Sequence, residues 1–222
     1  QVEMAVYEGL KQFMPNTSYE NFKRVNLMSS TKVDPTISQD FKRSSVLATV
    51  LSLLVIFIYI LIRFRKYGYS VGALAATAHD AFAVIAVFSL LHGILPFSME
   101  VDANFIAAIL TIIGYSLNDT VIIFDRLREY LKERPNADMK ETMNAAINST
   151  LSRTFNTAFT VIIVVLILFL FGGSVLKGFS FAMLIGVLVG VYSSVFIASP
   201  IMYDLDKNKD SYKENQPAAK KK

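Results

Sequence analysis

Asp119 stands inside a long apolar run, in the stretch Gly114-Tyr-Ser-Leu-Asn-Asp-Thr-Val-Ile-Ile-Phe-Asp-Arg-Leu-Arg-Glu129. A carboxylate at bilayer depth costs roughly 2.5–3.5 kcal/mol on insertion scales, so a membrane helix that keeps one uses it. The chemistry such a group offers is uptake and release of a proton. Ser116 lies at i−3 from Asp119 on the same helical face, and Tyr115 lies one turn away. Asn118 and Thr120 flank Asp119 and supply further polar support. The matching cation is Arg153. It belongs to a polar stripe of Ser149, Ser152, Arg153, Asn156, Thr157 and Thr160 on an otherwise apolar helix. Such a stripe is expected to face protein or water and not lipid. Arg153 is therefore read as a counter-ion for Asp119, the carboxyl that can exchange a proton. The plainer alternatives are a helix-end carboxylate and a snorkelling arginine.

His79-Asp80 is a second polar pair within an apolar segment. Neighbours on a helix point about 100° apart, so these two do not form one ligand face, whereas Thr77 and Asp80 do share one. The pair reads either as a satisfied polar pair or as a second station in a proton path. Cysteine is absent and there are two histidines, which argues against thiolate or all-protein zinc sites. No phosphate-binding loop, hydrolase elbow or metalloprotease motif occurs, and no basic-aromatic patch points to nucleic acid. No cofactor is expected, and the chain does not read as an enzyme.

The elements that must carry these groups follow from composition. The 222 residues are 53% hydrophobic, with mean hydropathy +0.44 and clumped charges. That composition predicts an all-α membrane protein. Five apolar segments are expected at about 45–63, 70–91, 103–125, 155–172 and 178–201, each near the ~20 residues that span a bilayer. Between the third and fourth, a surface helix is expected over Met139 to Ile147. Asp125, Arg126 and Arg128 close the third apolar run and mark an interface. Lys and Arg crowd the loops after the first and third segments and the C-terminal tail, while residues 92–102 contain neither. The positive-inside rule then places the charged loops and the tail in the cytoplasm and residues 1–43 in the periplasm. The tail from 204 to 222 is expected to be disordered.

Residues 1–43 read as the C-terminal end of a small α+β domain. Val2, Ala5, Val6, Leu10 and Phe13 form one helical face ended at Pro15-Asn16, with a strand over Phe22 to Ser30 and a turn at Val33-Asp-Pro35. The fifth segment carries Gly178, Ala182, Gly186, Gly190, Ser194 and Ala198 at strict four-residue spacing. Small residues in that register let two helix backbones approach closely. This face is expected to be a packing surface along which the helix slides.

The Gly114–Glu129 stretch closely resembles the signature of SecF, a subunit of the bacterial Sec protein-export machinery. Ser152-Arg-Thr-Phe-Asn-Thr157, Phe171-Gly-Gly173, Gly190-Val-Tyr-Ser-Ser194 and His79-Asp80 resemble further blocks of that family, and the likeness covers about residues 33–200. The resemblance implies the resistance-nodulation-division (RND) fold and pairing with SecD, in some species as one fused SecDF chain. It implies the SecYEG channel, YajC and YidC as neighbours, unfolded preprotein as cargo and the inner membrane as location. It implies late-stage export driven by the proton motive force, with Asp119 and Arg153 matching the family's proton path. The first transmembrane helix and most of the periplasmic domain of SecF are not matched, and Val33-Asp-Pro35 stands where Val-Gly-Pro is expected. A start at Gln1 fits a C-terminal piece of a fused chain. The alternatives are an RND-type proton-coupled transporter of a small molecule or lipid, and a structural subunit in which Asp119 only holds helices together.

Overall fold

The structure is a computed structural model and describes residues 2–14, 17–23 and 35–206. It divides into two compact units, Gln1–Ser45 and Val46–Lys222. In the first, α1 (Val2–Leu10) is followed by turns and by the short α2 (Tyr19–Asn21). Ser18 caps α2 through the Asn21 amide at 3.3 Å. Tyr7 donates to the Thr17 carbonyl at 2.7 Å and its ring meets those of Tyr19 and Phe22. The expected apolar face of α1 is largely uncovered, with Val6, Leu10 and Phe13 exposed. Pro15-Asn16, the strand expected over 22–30 and the turn at 33–35 lie outside the described residues, apart from Phe22 and Lys23, which are helical, and Pro35, which begins α3. No strand occurs among the described residues.

The helices that follow are α3 (Pro35–Phe64), α4 (Tyr67–Leu91), α5 (Ala103–Glu133), α6 (Met139–Phe171), α7 (Gly173–Ser193) and α8 (Ser199–Asp206), with a π-helical turn at Ser194–Ala198 joining the last two. Five stretches are long and apolar enough to cross a membrane: Gln39–Phe64, Tyr67–Leu91, Ala103–Glu133, Met139–Phe171 and Gly173–Asp206. The surface helix expected at Met139–Ile147 and the segment expected to begin at 155 are one continuous helix. Its start is set by Asp138, whose carboxylate accepts from the amides of Lys140 and Glu141 at 2.9 and 3.2 Å. The third helix likewise runs past 125 to Glu133, because nothing before Pro135 breaks it. Asp102 caps its first turn through the Phe105 amide at 2.9 Å.

Phe171-Gly-Gly173 is the hinge between α6 and α7. Gly173 has φ +77°, in the left-handed region, and a Cβ on Gly172 would lie 2.4 Å from the Leu168 carbonyl oxygen. The π-helical turn has its own cause: Pro200 lacks the N–H that would continue the ladder, and the Ser199 hydroxyl donates instead to the Ser194 carbonyl at 2.9 Å. At the charged end, Lys66 pairs with Asp206 at 3.6 Å, tying the start of α4 to the end of α8. Burial holds the Lys66 ammonium below its usual range, and the carboxylate of Asp206 works against that shift.

Within the second unit, α7 is the hub and packs on α4, α5 and α6. The four-residue register puts Ala182, Gly186 and Gly190 inside, and Gly186 and Gly190 against α5. A Cβ at Gly186 would lie 2.3 Å from Ile112 Cδ1, and one at Gly190 would lie 3.1 Å from Ser116 Cβ. Gly186→Ala is expected to cost about 1–3 kcal/mol by overpacking. Ile112→Ala alone is expected to cost about 2–5 kcal/mol by cavity formation. Together they should cost less than the sum, because each removes the other's defect. Thermal unfolding of the three variants in one detergent checks this; strict additivity would show that the two residues do not share the contact.

Candidate functional site

The buried apolar residues fall into two clusters. One gathers Ile60, Phe64, Tyr69, Ile123, Phe124, Leu127, Met143 and Met202 at the charged end. The other gathers Val84, Phe88, Phe105, Ile109, Ile112, Val165 and Met183 at the opposite end. Between them, every central helix contributes buried polar groups: Thr77 and Asp80 from α4, Ser116, Asp119 and Thr120 from α5, Thr150 and Thr154 from α6, and Ser193 with Ser194 at the end of α7. The two clusters are thus separated by a polar layer halfway through the bundle.

One half of this layer is fully hydrogen-bonded and centres on Asp80, which is 0% exposed. Its Oδ2 accepts from the hydroxyl of Ser116 and from Ser193 Oγ at 2.8 Å. Its Oδ1 meets His79 Nδ1 at 3.2 Å. The neighbours expected to diverge therefore touch: His79 folds back along the helix while its side chain stays 41% exposed. Thr77 does not join them; its hydroxyl returns to the Ala73 carbonyl at 2.5 Å. Thr120 and Ser194 share a hydrogen bond at 3.0 Å.

The other half centres on Asp119. On α5, Thr120 lies about 40° to one side of Ser116 and Asp119 about 60° to the other, so the same turn serves both halves. Asp119 is 2% exposed. Arg153 and Thr154 of α6 are its electrostatic neighbours. Among the described residues no direct ion pair joins Asp119 to Arg153: the guanidinium lies within electrostatic reach and does not touch. Asp119 Oδ2, the Tyr115 hydroxyl and Thr154 Oγ1 are buried and have no hydrogen-bond partner.

The polar stripe of α6 is displaced from the expected arrangement. Its buried line is Thr150, Thr154 and Ala158, one residue away, whereas Ser149, Ser152, Arg153, Asn156 and Thr160 are exposed and Thr157 is half-buried. The hydroxyls of Ser149, Thr157 and Thr160 bond back to carbonyls of their own helix. Ser152 and Asn156 are exposed, and Arg153, also exposed, turns its guanidinium toward the α5 side, within reach of Asp119. Asn118 is exposed as well.

Toward the charged end, Arg153 lines a cavity of about 380 Å³ shared with Asp125, Arg126, Glu129, Ser149 and Thr150. Arg126 crosses it, paired with Glu129 at 2.6 Å and donating to Ser149 at 3.3 Å. Asp125 is held by Arg63 at 3.0 Å and Arg128 donates to the Arg63 carbonyl at 3.3 Å. These three residues lock α5 to α3 and α6. Ser193, Thr150 and Thr154 are polar-layer members that the sequence reading passed over. Thr150 and Thr154 follow Ala146 at four-residue intervals, a register that marks the inner face of α6.

The chain matches the family model "Protein export membrane protein SecD/SecF, C-terminal" over residues 15–208. It is 47% identical over 205 residues to the protein translocase subunit SecF of Rhodothermus marinus, covering 92% of this chain and 64% of that protein. It is 43% identical over 172 residues to the protein translocase subunit SecDF of Bacillus subtilis, covering 76% of this chain and 22% of that protein. Among solved structures it is similar to SecDF of Thermus thermophilus, a translocon-associated membrane protein, with a TM-score of 0.69 and 38% identity over 78% of this chain and 23% of that one. SecDF in its super-membrane-facing form gives a TM-score of 0.66 at 32% identity. The chain thus spans somewhat under two thirds of the Rhodothermus relative and about a quarter of the fused proteins.

Proposed function

This chain belongs to the SecD/SecF C-terminal family of protein-export membrane proteins, and from that premise we propose that it is the membrane half of a SecF-type translocase subunit driven by protons. It is a multi-pass membrane protein. In this reading the charged ends of the helices and the tail lie in the cytoplasm, residues 1–43 and 92–102 lie in the periplasm, and the bundle has the RND arrangement. It works beside SecD, separate or fused, and the SecYEG channel, on unfolded preprotein; YajC and YidC are further neighbours.

The observation that carries the reading is the unequal treatment of two carboxyls in one layer. Asp80 has three hydrogen-bond partners, two hydroxyl donors and the His79 ring nitrogen, whereas Asp119 keeps an oxygen that is buried and unpartnered. Such an oxygen takes a proton without breaking a hydrogen bond. Arg153 is within electrostatic reach of it without forming a direct ion pair among the described residues. Loading and unloading then switch the local charge between −1 and 0, a change able to bias two helix packings that differ by a few kcal/mol. The exposed Ser152 and Asn156 favour a protein partner over lipid beside α6, which fits the SecD half. Export of a preprotein by vesicles containing the complete parent complex should accelerate when an inward proton gradient is imposed. Equal rates with and without the gradient would exclude the proposal.

A further inference from the structure

We propose that His79 and Asp80 form a second proton-binding site of this membrane domain, one that controls how α4 grips α5 and α7. The inference rests on the proton-driven reading above but uses a different carboxyl. Among the described residues no lysine or arginine pairs with Asp80, and its contacts are two hydroxyls and one imidazole nitrogen. A buried carboxylate with only those partners is costly unless a proton is shared with the ring. The Asp80 Oδ1–His79 Nδ1 contact supplies that proton in either of two positions. With the ring protonated, Nδ1–H donates to Oδ1 of an ionised Asp80. With the ring neutral, Oδ1–H of the protonated Asp80 donates to His79 Nδ1. Both states satisfy every hydrogen bond at the site.

The open side of the site is His79, whose side chain is two-fifths uncovered by this chain while Asp80 is sealed. A proton taken at Nε2 lets Nδ1 pass its own proton to Oδ1: one N–H bond forms, another breaks, and an O–H bond is made. Other ionisable groups on the helices around Asp80 are few. Tyr192 of α7 has its ring 6.4 Å from that of His79. Tyr115 and Asp119 lie within one turn of Ser116 on α5, and α8 carries Asp204 and Asp206, the latter paired with Lys66 at the charged end. None of them is bonded to Asp80.

The mechanical consequence lies in Oδ2. Ser116 and Ser193 both donate to it, so one carboxylate clamps three helices. Hydrogen bonds to an ionised acceptor are roughly twice as strong as neutral ones. Protonation of Asp80 therefore slackens the clamp at the place where Gly190 brings α7 against Ser116. Ser116 is also the residue that shares its α5 turn with Asp119, so each carboxyl feels the other's state through one short stretch of helix.

Infrared difference spectroscopy between alkaline and acidic buffer tests this on the complete parent protein in liposomes. Wild type should show two buried carboxyl C=O bands. Asp80→Asn should lose one and keep the other, and Asp119→Asn the reverse. His79→Gln should keep both but slow the Asp80 band after a pH jump about tenfold or more, as loss of a proton-transfer group does. If Asp80→Asn does not accumulate, the Asp119→Asn protein carries the test, since it must still show a carboxyl band. The proposal is overturned if that residual band is absent, if Asp80→Asn leaves the difference spectrum unchanged, or if His79→Gln leaves the response rate unchanged. Failure of the Asp119 reading would look different: the Asp119→Asn spectrum would match wild type whatever happens at Asp80.

Discussion

Asp119→Asn is expected to reduce proton-dependent export to the rate of de-energised membranes while leaving the folded protein in place. The amide is nearly isosteric with the acid and fills the same buried position, so packing against α6 is retained. What it removes is the ability to alternate between charged and neutral forms. One charge moving through 100 mV supplies about 2.3 kcal/mol. At ~1.36 kcal/mol per factor of ten, that corresponds to a loss of roughly 50-fold if a single proton drives the step. Asp119→Glu, which keeps the titratable group and displaces it by one methylene, should retain part of the activity. The measurement is preprotein export with and without an imposed gradient, alongside the thermal stability of the purified complex. A stable Asp119→Asn variant that exports at the wild-type rate would leave Asp119 as helix glue only.

The second large effect is expected at Gly72, which plays no part in proton chemistry. A Cβ there would lie 2.5 Å from the backbone carbonyl oxygen of Ala198. A side chain can rotate away from such a contact, but a helix backbone cannot. Gly72→Ala should therefore force α4 off the π-helical turn and α8, at a cost of about 3 kcal/mol or more. Gly114 is the control: a Cβ there meets nothing within 4 Å, so Gly114→Ala should be neutral or gain up to about 1 kcal/mol. Thermal unfolding of both variants in the same detergent separates the two cases. Equal midpoints would mean that the α4–α8 contact yields easily.

These residues show what a sequence discloses and what it conceals. The five spans were legible because apolar length is a local property, but their ends were not. Hydropathy falls where Arg126 or Lys140 appears, whereas the helix continues until Pro135 or the Asp138 cap ends it. The small-residue register of α7 was visible because its members lie four apart on one helix. The matching seam on α4, Gly68 and Gly72 against α8, was overlooked beside the polar pair that follows it. Asp119 stood out as an acid in an apolar run. The company kept by Asp80 could not stand out: Ser116 and Ser193 lie 36 and 113 residues away, and only the packing of α4, α5 and α7 unites them. For the same reason the α6 stripe was recognised as polar while the buried line of Thr150 and Thr154 beside it was not, since a periodicity fixes which residues share a face and not which neighbour that face meets.

The exposed Ser152 and Asn156 also bear on the life of the newly made chain. Until something covers them, α6 presents a hydroxyl and an amide that hydrocarbon cannot solvate. That penalty falls on the unassembled chain alone and disappears on assembly, so it acts as a built-in label for subunits without a mate. If the proposed pairing with a SecD half holds, accumulation of this chain should follow the supply of that half by mass action. Where both halves are encoded in one polypeptide, the exposed interval shrinks to the time needed to synthesise and dock the second.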